Sequence, residues 1–206
     1  MTQTRKTRGR TLYLVQLAIL AAILLLLEVT GLGYIRIGAL SMTIMQVPVI
    51  IGAIVLGPAA GAILGAVFGL TSFAQAFGKD PLGAILLTYN PVGLFVTTVI
   101  TRNLMGWLGG LIYKGLQRAR VNRNLSLVLS SLSGALLNTL FFMSMFLLFF
   151  FHTEAVQNIA AGIGTANPLL FAVLLVGVQG LAEAGICTLL GSSIAGALLH
   201  AQKKTS

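Results

Sequence analysis

"NPVGLFVTTVITRNLMGWLGG", residues 90–110, is an apolar helical run that opens on Asn90-Pro91 and carries an arginine, Arg102, in its middle. Asparagine at an N-cap followed by proline at the first helical position marks a helix start. At about 1.5 Å per residue the run is long enough for a bilayer core of ~30 Å. Arg102 lies about 17 Å past Pro91 along such a helix, near the bilayer centre. A charge there costs roughly 3 kcal/mol on insertion scales. Something must make that cation worth keeping.

The rest of the chain agrees with a membrane setting. Of 206 residues, 57% are hydrophobic and 8% charged, with a mean hydropathy of +0.97. A soluble domain carries about 25% charged residues, so this chain cannot cover a water-facing surface. The reading is a multi-pass protein of the cell membrane with one transmembrane domain over residues 1–206, of which 1–10 form a basic N-terminal tail. The net charge of +9 falls in loops and termini, as the positive-inside rule requires, and not in an aromatic-interleaved patch, so nucleic acid is not an expected partner. The single cysteine, Cys187, excludes an internal disulfide and a Cys-cluster metal site. The run after the basic tail ends in Glu28-Val-Thr-Gly31 without a small-residue cleavage site, and reads as a retained first span.

Six hydrophobic stretches can be marked, at about 11–30, 42–56, 59–77, 90–113, 125–150 and 167–200. The third is entered through the turn Gly57-Pro58, and the sixth starts on Asn167-Pro168, again an N-cap and proline. The second is short, about 22 Å, and the sixth approaches ~50 Å. Arg5, Lys6, Arg8 and Arg10 precede the first stretch; Lys114, Arg118, Arg120 and Arg123 lie between the fourth and fifth; Lys203 and Lys204 close the chain. Six spans with both termini cytoplasmic put all ten on the inside and leave Arg36 and Lys79 outside. The expected fold is therefore an all-α, six-transmembrane-helix bundle. Gly61, Gly65 and Gly69 in the third stretch, Gly106 and Gly110 in the fourth, and Ala18 and Ala22 in the first carry the small-residue spacing of close helix contacts.

Enzyme chemistry finds little support. The acidic residues are Glu28, Asp80, Glu154 and Glu183, and the histidines His152 and His200 fall on opposite sides of the membrane. No His-Glu-x-x-His, Gly-x-Ser-x-Gly or Cys-His pairing appears, and Gly78-Lys79 is not a phosphate-binding loop. No catalytic residue, metal or cofactor is expected. Polar groups within the spans are more informative. Asn138 lies roughly midway along the fifth stretch. Gln179 lies eleven residues past Pro168, and Glu183 follows at i+4 on the same helical face. With Arg102 they bring three consecutive spans to one depth, the layout of a midplane substrate site. A buried Arg102–Glu183 ion pair with interhelical hydrogen bonds is the alternative. Gln75, Tyr89 and Asn90 sit toward the outer surface. The glycine-rich loop "GLGYIRIGALS", residues 31–41, carries Tyr34 and Arg36 and suits a lid or an ordinary flexible connection.

The stretch "IRIGALSMTIMQVPVIIGAIVLGPAAGAILGAVFGLTSFAQAF", residues 35–77, resembles the substrate-binding S components of energy-coupling factor vitamin transporters. The glycine-rich first outer loop, Pro-Val-Ile-Ile-Gly, the Leu-Gly-Pro turn and the Gly-x-x-Phe-Gly-Leu ending carry the likeness, most of all to the pantothenate-specific members. The resemblance implies a high-affinity vitamin-binding subunit of an ABC-type importer, with pantothenate as substrate. It also implies a transmembrane coupling subunit and two cytoplasmic ATPases as partners, so that ATP hydrolysis lies outside this chain. Docking on the coupling subunit would use the Ala-x-x-x-Ala pattern, here Ala18 and Ala22. Arg102 would grip the carboxylate in a bidentate fork, and Asn138 would bond the hydroxyls or amide. Riboflavin, folate or a pyridoxine-like compound is the alternative substrate. A membrane-embedded enzyme or assembly factor using Glu183 and Arg102 is the alternative of another class.

Overall fold

The computed structural model describes the backbone of residues 2–37 and 40–205, with side chains except those of 2–8, 35–37, 40–42, 178, 204 and 205. The side chains of Arg5, Lys6, Arg8, Arg36 and Lys204, and Gly38 altogether, lie outside the described residues. Helices dominate, because in lipid each backbone polar group must be satisfied within its own segment. They are α1 (Thr2–Thr30), α2 (Gln46–Val55), α3 (Pro58–Gln75), α4 (Pro81–Tyr89), α5 (Pro91–Phe95), α6 (Thr101–Arg118), α7 (Arg123–Phe150), α8 (Glu154–Ile163) and α9 (Pro168–Thr205). A π turn, Val96–Ile100, joins α5 to α6. Between α1 and α2 stands an antiparallel hairpin, β1 (Tyr34–Ile37) and β2 (Leu40–Thr43), registered Tyr34 opposite Thr43 and Ile37 opposite Leu40.

The boundaries follow local chemistry. Asn90 Oδ1 accepts from Gly93 N at 2.8 Å, and Asn167 Oδ1 accepts from Leu169 N at 2.9 Å, so both Asn-Pro starts are capped. Asp80 caps α4 in the same way through Gly83 N at 3.0 Å. Such caps contribute about 1 kcal/mol each. Gly57 takes φ 103° ahead of Pro58, a left-handed backbone that disfavours a side chain.

Among the described residues, four helical segments are long and apolar enough to cross a membrane: Gly9–Thr30, Pro58–Gln75, Arg123–Phe150 and Gln179–Lys203. A fifth follows if α8 and the start of α9, bent by 72°, count as one. The stretch 42–56 becomes a ten-residue helix of about 15 Å, because Met42 and Thr43 go into β2. The stretch 90–113 is one helical run broken by the π turn. Helices α4 and α8 arise where hydropathy marked no stretch.

Close backbone contact along α3 and α6 holds the bundle. A Cβ at Gly61 would land on the Gly106 carbonyl, and one at Gly65 on the Arg102 carbonyl; Gly69 faces Val99. Lipid tails are as apolar as leucine, so such contacts rest on van der Waals fit and not on exclusion of water. Gly65→Ala should therefore cost about 1–3 kcal/mol through overpacking. Gly115→Ala, where nothing stands within 4 Å of an added Cβ, should instead gain a few tenths from its better helix propensity. Thermal unfolding in detergent checks both; equal midpoints for the two variants would contradict the close contact.

Three apolar clusters fill the interior. One gathers Leu86, Leu94, Phe146, Phe150, Val156 and Phe171 beside α4 and α8. The second joins α2 to α7 and α9 through Ile50, Leu127 and Cys187, and the third joins α1, α2, α3 and α6 through Leu24, Val49, Phe68 and Met105. Arg102 lies between Leu94 and Met105, Asn138 between Ala135 and Met143, and Glu183 between Phe171 and Ala184. On all three helical runs the buried polar residue stands where one apolar cluster ends and the next begins.

Candidate functional site

A cavity of about 100 Å³ opens at that layer. The hairpin contributes Tyr34 and Thr43, and α3 contributes Ser72 and Gln75. From α7 come Asn138, Thr139 and Phe142, and from α9 Gln179 and Glu183. Five of the residues expected at a site therefore share one cavity: Tyr34, Gln75, Asn138, Gln179 and Glu183. Burial pushes the Tyr34 phenol above its usual pKa, which keeps it a neutral hydroxyl.

Arg102 lies behind the cavity wall and not on it. Its guanidinium carbon stands 4.5 Å from the centre of the Phe68 ring and 5.2 Å from that of Phe142. Phe142 itself lines the cavity, so the cation packs against a residue of the cavity wall. The local helix explains this pose. Thr97, Thr98 and Thr101 return their hydroxyls to the carbonyls of Gly93, Leu94 and Thr97, which bends helices, and π turns recur at functional sites. One arginine Nη donates to the Thr98 carbonyl at 3.0 Å. Nε is buried without a hydrogen-bond partner among the described residues, and so is Asn138 Oδ1.

The Arg102–Glu183 ion pair does not form. Glu183 is held by three N–H donors: Thr43 N at 2.8 Å, Gln46 Nε2 at 3.2 Å and Gln179 Nε2 at 3.3 Å. Arg102 is 6% exposed, against two ring faces and a carbonyl, and makes no salt bridge with a carboxylate among the described residues. Ring faces can hold a cation, contributing about 2 kcal/mol or more when desolvated.

The other expected residues are placed elsewhere. Asn90 spends its side-chain oxygen on the α5 cap, and Tyr89 is half exposed and outside the cavity lining. Gln75 donates to Glu28 Oε2 at 2.8 Å, and Lys79 forms an ion pair with Glu28 Oε1 at 3.3 Å, so the end of α1 is tied to the end of α3. Ala18 and Ala22 are exposed on α1, whose inner face is Leu17, Leu20, Ala21, Leu24 and Leu27. Thr43 and Gln46 were not anticipated. Gln46 is completely buried, and a lone glutamine inside the apolar run "IMQVPVI" was the available signal. No group of three or more metal-ligating side chains occurs among the described residues.

Comparison with known proteins gives the chemistry a context. A family model described as "ECF transporter, substrate-specific component" matches residues 12–195. A "Pantothenic acid transporter PanT" of Lactococcus lactis subsp. cremoris (strain MG1363) is 36% identical over 118 residues, 52% of this chain and 57% of that one. A "Pantothenate transporter PanT" of Leuconostoc mesenteroides subsp. mesenteroides is 33% identical over 105 residues, 48% of this chain and 52% of that one. The matches therefore span about half the length of these curated relatives.

Proposed function

Since the chain belongs to the family of ECF transporter substrate-specific components, we propose that it is the vitamin-capturing subunit of an energy-coupling factor importer and that its substrate is pantothenate. The observation that carries this reading is the buried Arg102 guanidinium, which feels Glu183 only at a distance and makes no salt bridge with a carboxylate among the described residues. Pantothenate is a carboxylate with an amide and hydroxyls. Its carboxylate would give Arg102 the missing anion, and its donors would meet the unpartnered Asn138 Oδ1. The Phe142 ring would turn aside to join the two. Gln75, Gln179 and Glu183 line the same cavity, with Tyr34 and the Arg36-bearing hairpin as its lid, while Tyr89 and Asn90 would shape the outer mouth. The relatives' printed names point to the same substrate.

In this reading residues 1–206 form one domain of six membrane segments: α1, α2, α3, the α5–α6 run, α7 and α9. The hairpin, α4 and α8 lie at the outer end, and both termini, with the basic tail of residues 1–10, are cytoplasmic. Ala18 and Ala22 dock on a transmembrane coupling subunit, and two cytoplasmic ATPases power release, so this chain itself hydrolyses nothing. Equilibrium binding of radiolabelled pantothenate to the purified chain, without ATP, tests the substrate. The expected result is saturable binding near one per chain, with the alcohol analogue competing roughly tenfold or more worse, since it offers the guanidinium one neutral oxygen in place of a charged, two-oxygen acceptor. Absence of saturable binding, or equal displacement by riboflavin or folate, overturns the assignment.

A further inference from the structure

We propose that Glu183 is a positioning residue that fastens the root of the hairpin across the membrane bundle, and that this fastening sets how fast the cavity opens. A carboxylate buried to 6% exposure on a membrane helix needs strong partners to stay there. Glu183 has three, and two of them come from one short segment. Thr43 is the last residue of β2 and Gln46 the first of α2, and both donate to this carboxylate. Between them, Met45 N donates to Thr43 Oγ1, which in turn donates to the Gly33 carbonyl at the other root of the hairpin. Glu183 therefore grips the point at which both strands meet the bundle.

The grip reaches the cavity directly. Thr43 pairs with Tyr34 in the hairpin register, and both side chains line the cavity with Glu183 itself. The end of α1 that leads into the hairpin is held by a second carboxylate, Glu28, through Gln75 and Lys79. That tie fixes α1 against α3. Among the described residues the Glu183 tie alone joins the hairpin to α9 through a carboxylate, so its loss should free the strands without releasing α1. Hydrogen bonds to a charged acceptor are shorter and stronger than neutral ones, which suits a fastening that must hold without water.

Hydrogen–deuterium exchange on the purified full chain tests the fastening without any substrate. Glu183→Leu puts a shorter, apolar side chain in place of the carboxylate and leaves the Thr43 amide without that acceptor. Exchange over residues 34–46 should accelerate by roughly tenfold or more, while α7 keeps its wild-type protection. Glu183→Gln still offers an oxygen to Thr43 but no charge, and should fall between wild type and Glu183→Leu. Gln46→Leu, which leaves Glu183 in place, should give a smaller acceleration, and it decides the matter if Glu183→Leu fails to fold. Unchanged exchange over 34–46 in every folded variant overturns the proposal.

The second readout rests on the binding role proposed above. Labelled pantothenate should leave Gln46→Leu, whose side chain is absent from the cavity lining, roughly threefold faster than wild type, with the same fraction of chains filled at saturation. General damage predicts the reverse: fewer filled chains that release at the wild-type rate. That pattern overturns the proposal. A wild-type chain that binds no pantothenate sinks the substrate assignment alone, because the exchange result stands without it.

Discussion

Arg102→Ala weakens binding of a carboxylate ligand by roughly ten- to hundredfold, the range of about 1.5–3 kcal/mol for hydrogen bonds to charged groups. The empty site already satisfies part of the arginine. One nitrogen reaches the Thr98 carbonyl, and the Phe68 and Phe142 rings stand on the guanidinium at 4.5 and 5.2 Å. None of these groups carries a full negative charge, so a bound carboxylate would be the close anionic partner in the proposed reading. Arg102→Lys should recover only part of the affinity, because an ammonium has no planar fork for two carboxylate oxygens. The alcohol analogue of pantothenate should lose less affinity than pantothenate between wild type and Arg102→Ala, since it offers the guanidinium a single neutral oxygen. Stability separates this from a structural role. Glu183 keeps its three donors Thr43, Gln46 and Gln179, so removing Arg102 breaks no salt bridge, and the variant should lose only the ring contacts, about 2 kcal/mol, and remain folded. Binding measured by titration calorimetry decides it: wild-type affinity in a folded Arg102→Ala chain removes this residue from the site.

Depth was legible in the sequence, and azimuth was not. Counting from Pro91 and Pro168 at helical rise brought Arg102, Gln179 and Glu183 to one layer with Asn138, because each helix start carries a cap that fixes its origin. Rise along a helix does not say which neighbour a side chain faces. Opposite charges at one depth suggested the Arg102–Glu183 pair, yet Glu183 turns to Thr43, 140 residues away in sequence. The hairpin was hidden for a different reason. Its strands are four residues each, too short for a period of two to stand out, and its glycines favoured reading a loose connection. Helix α8 escaped a hydropathy search because its length is ten residues. Its signals were local: Glu154 in the first turn and Gly164 at φ 82° closing the last.

Replacing Ala18 and Ala22 together by leucine should reduce pantothenate uptake to background in cells that carry the coupling subunit and ATPases, with binding by the purified chain unchanged. The argument starts from how α1 sits. Leu24 is fully buried, and Leu17, Leu20, Ala21 and Leu27 pack on the third apolar cluster. At 100° per residue Ala18 and Ala22 fall on the opposite face, beside Leu25, Leu26 and Val29, which are 50%, 63% and 79% exposed. Small residues four apart let two helices approach to backbone contact, as Gly61 and Gly106 do inside this bundle. Ala18 and Ala22 are exposed among the described residues, so in the proposed reading they form a notch between bulky neighbours that a helix from outside would fill. Leucines there fill the notch without touching the cavity, some distance away behind Leu24 and Phe68. The same variants tested for thermal unfolding should match wild type, since nothing inside the bundle is displaced. Joint loss of uptake and binding would mean that α1 packs through this face after all, and the docking surface would have to be sought on another helix.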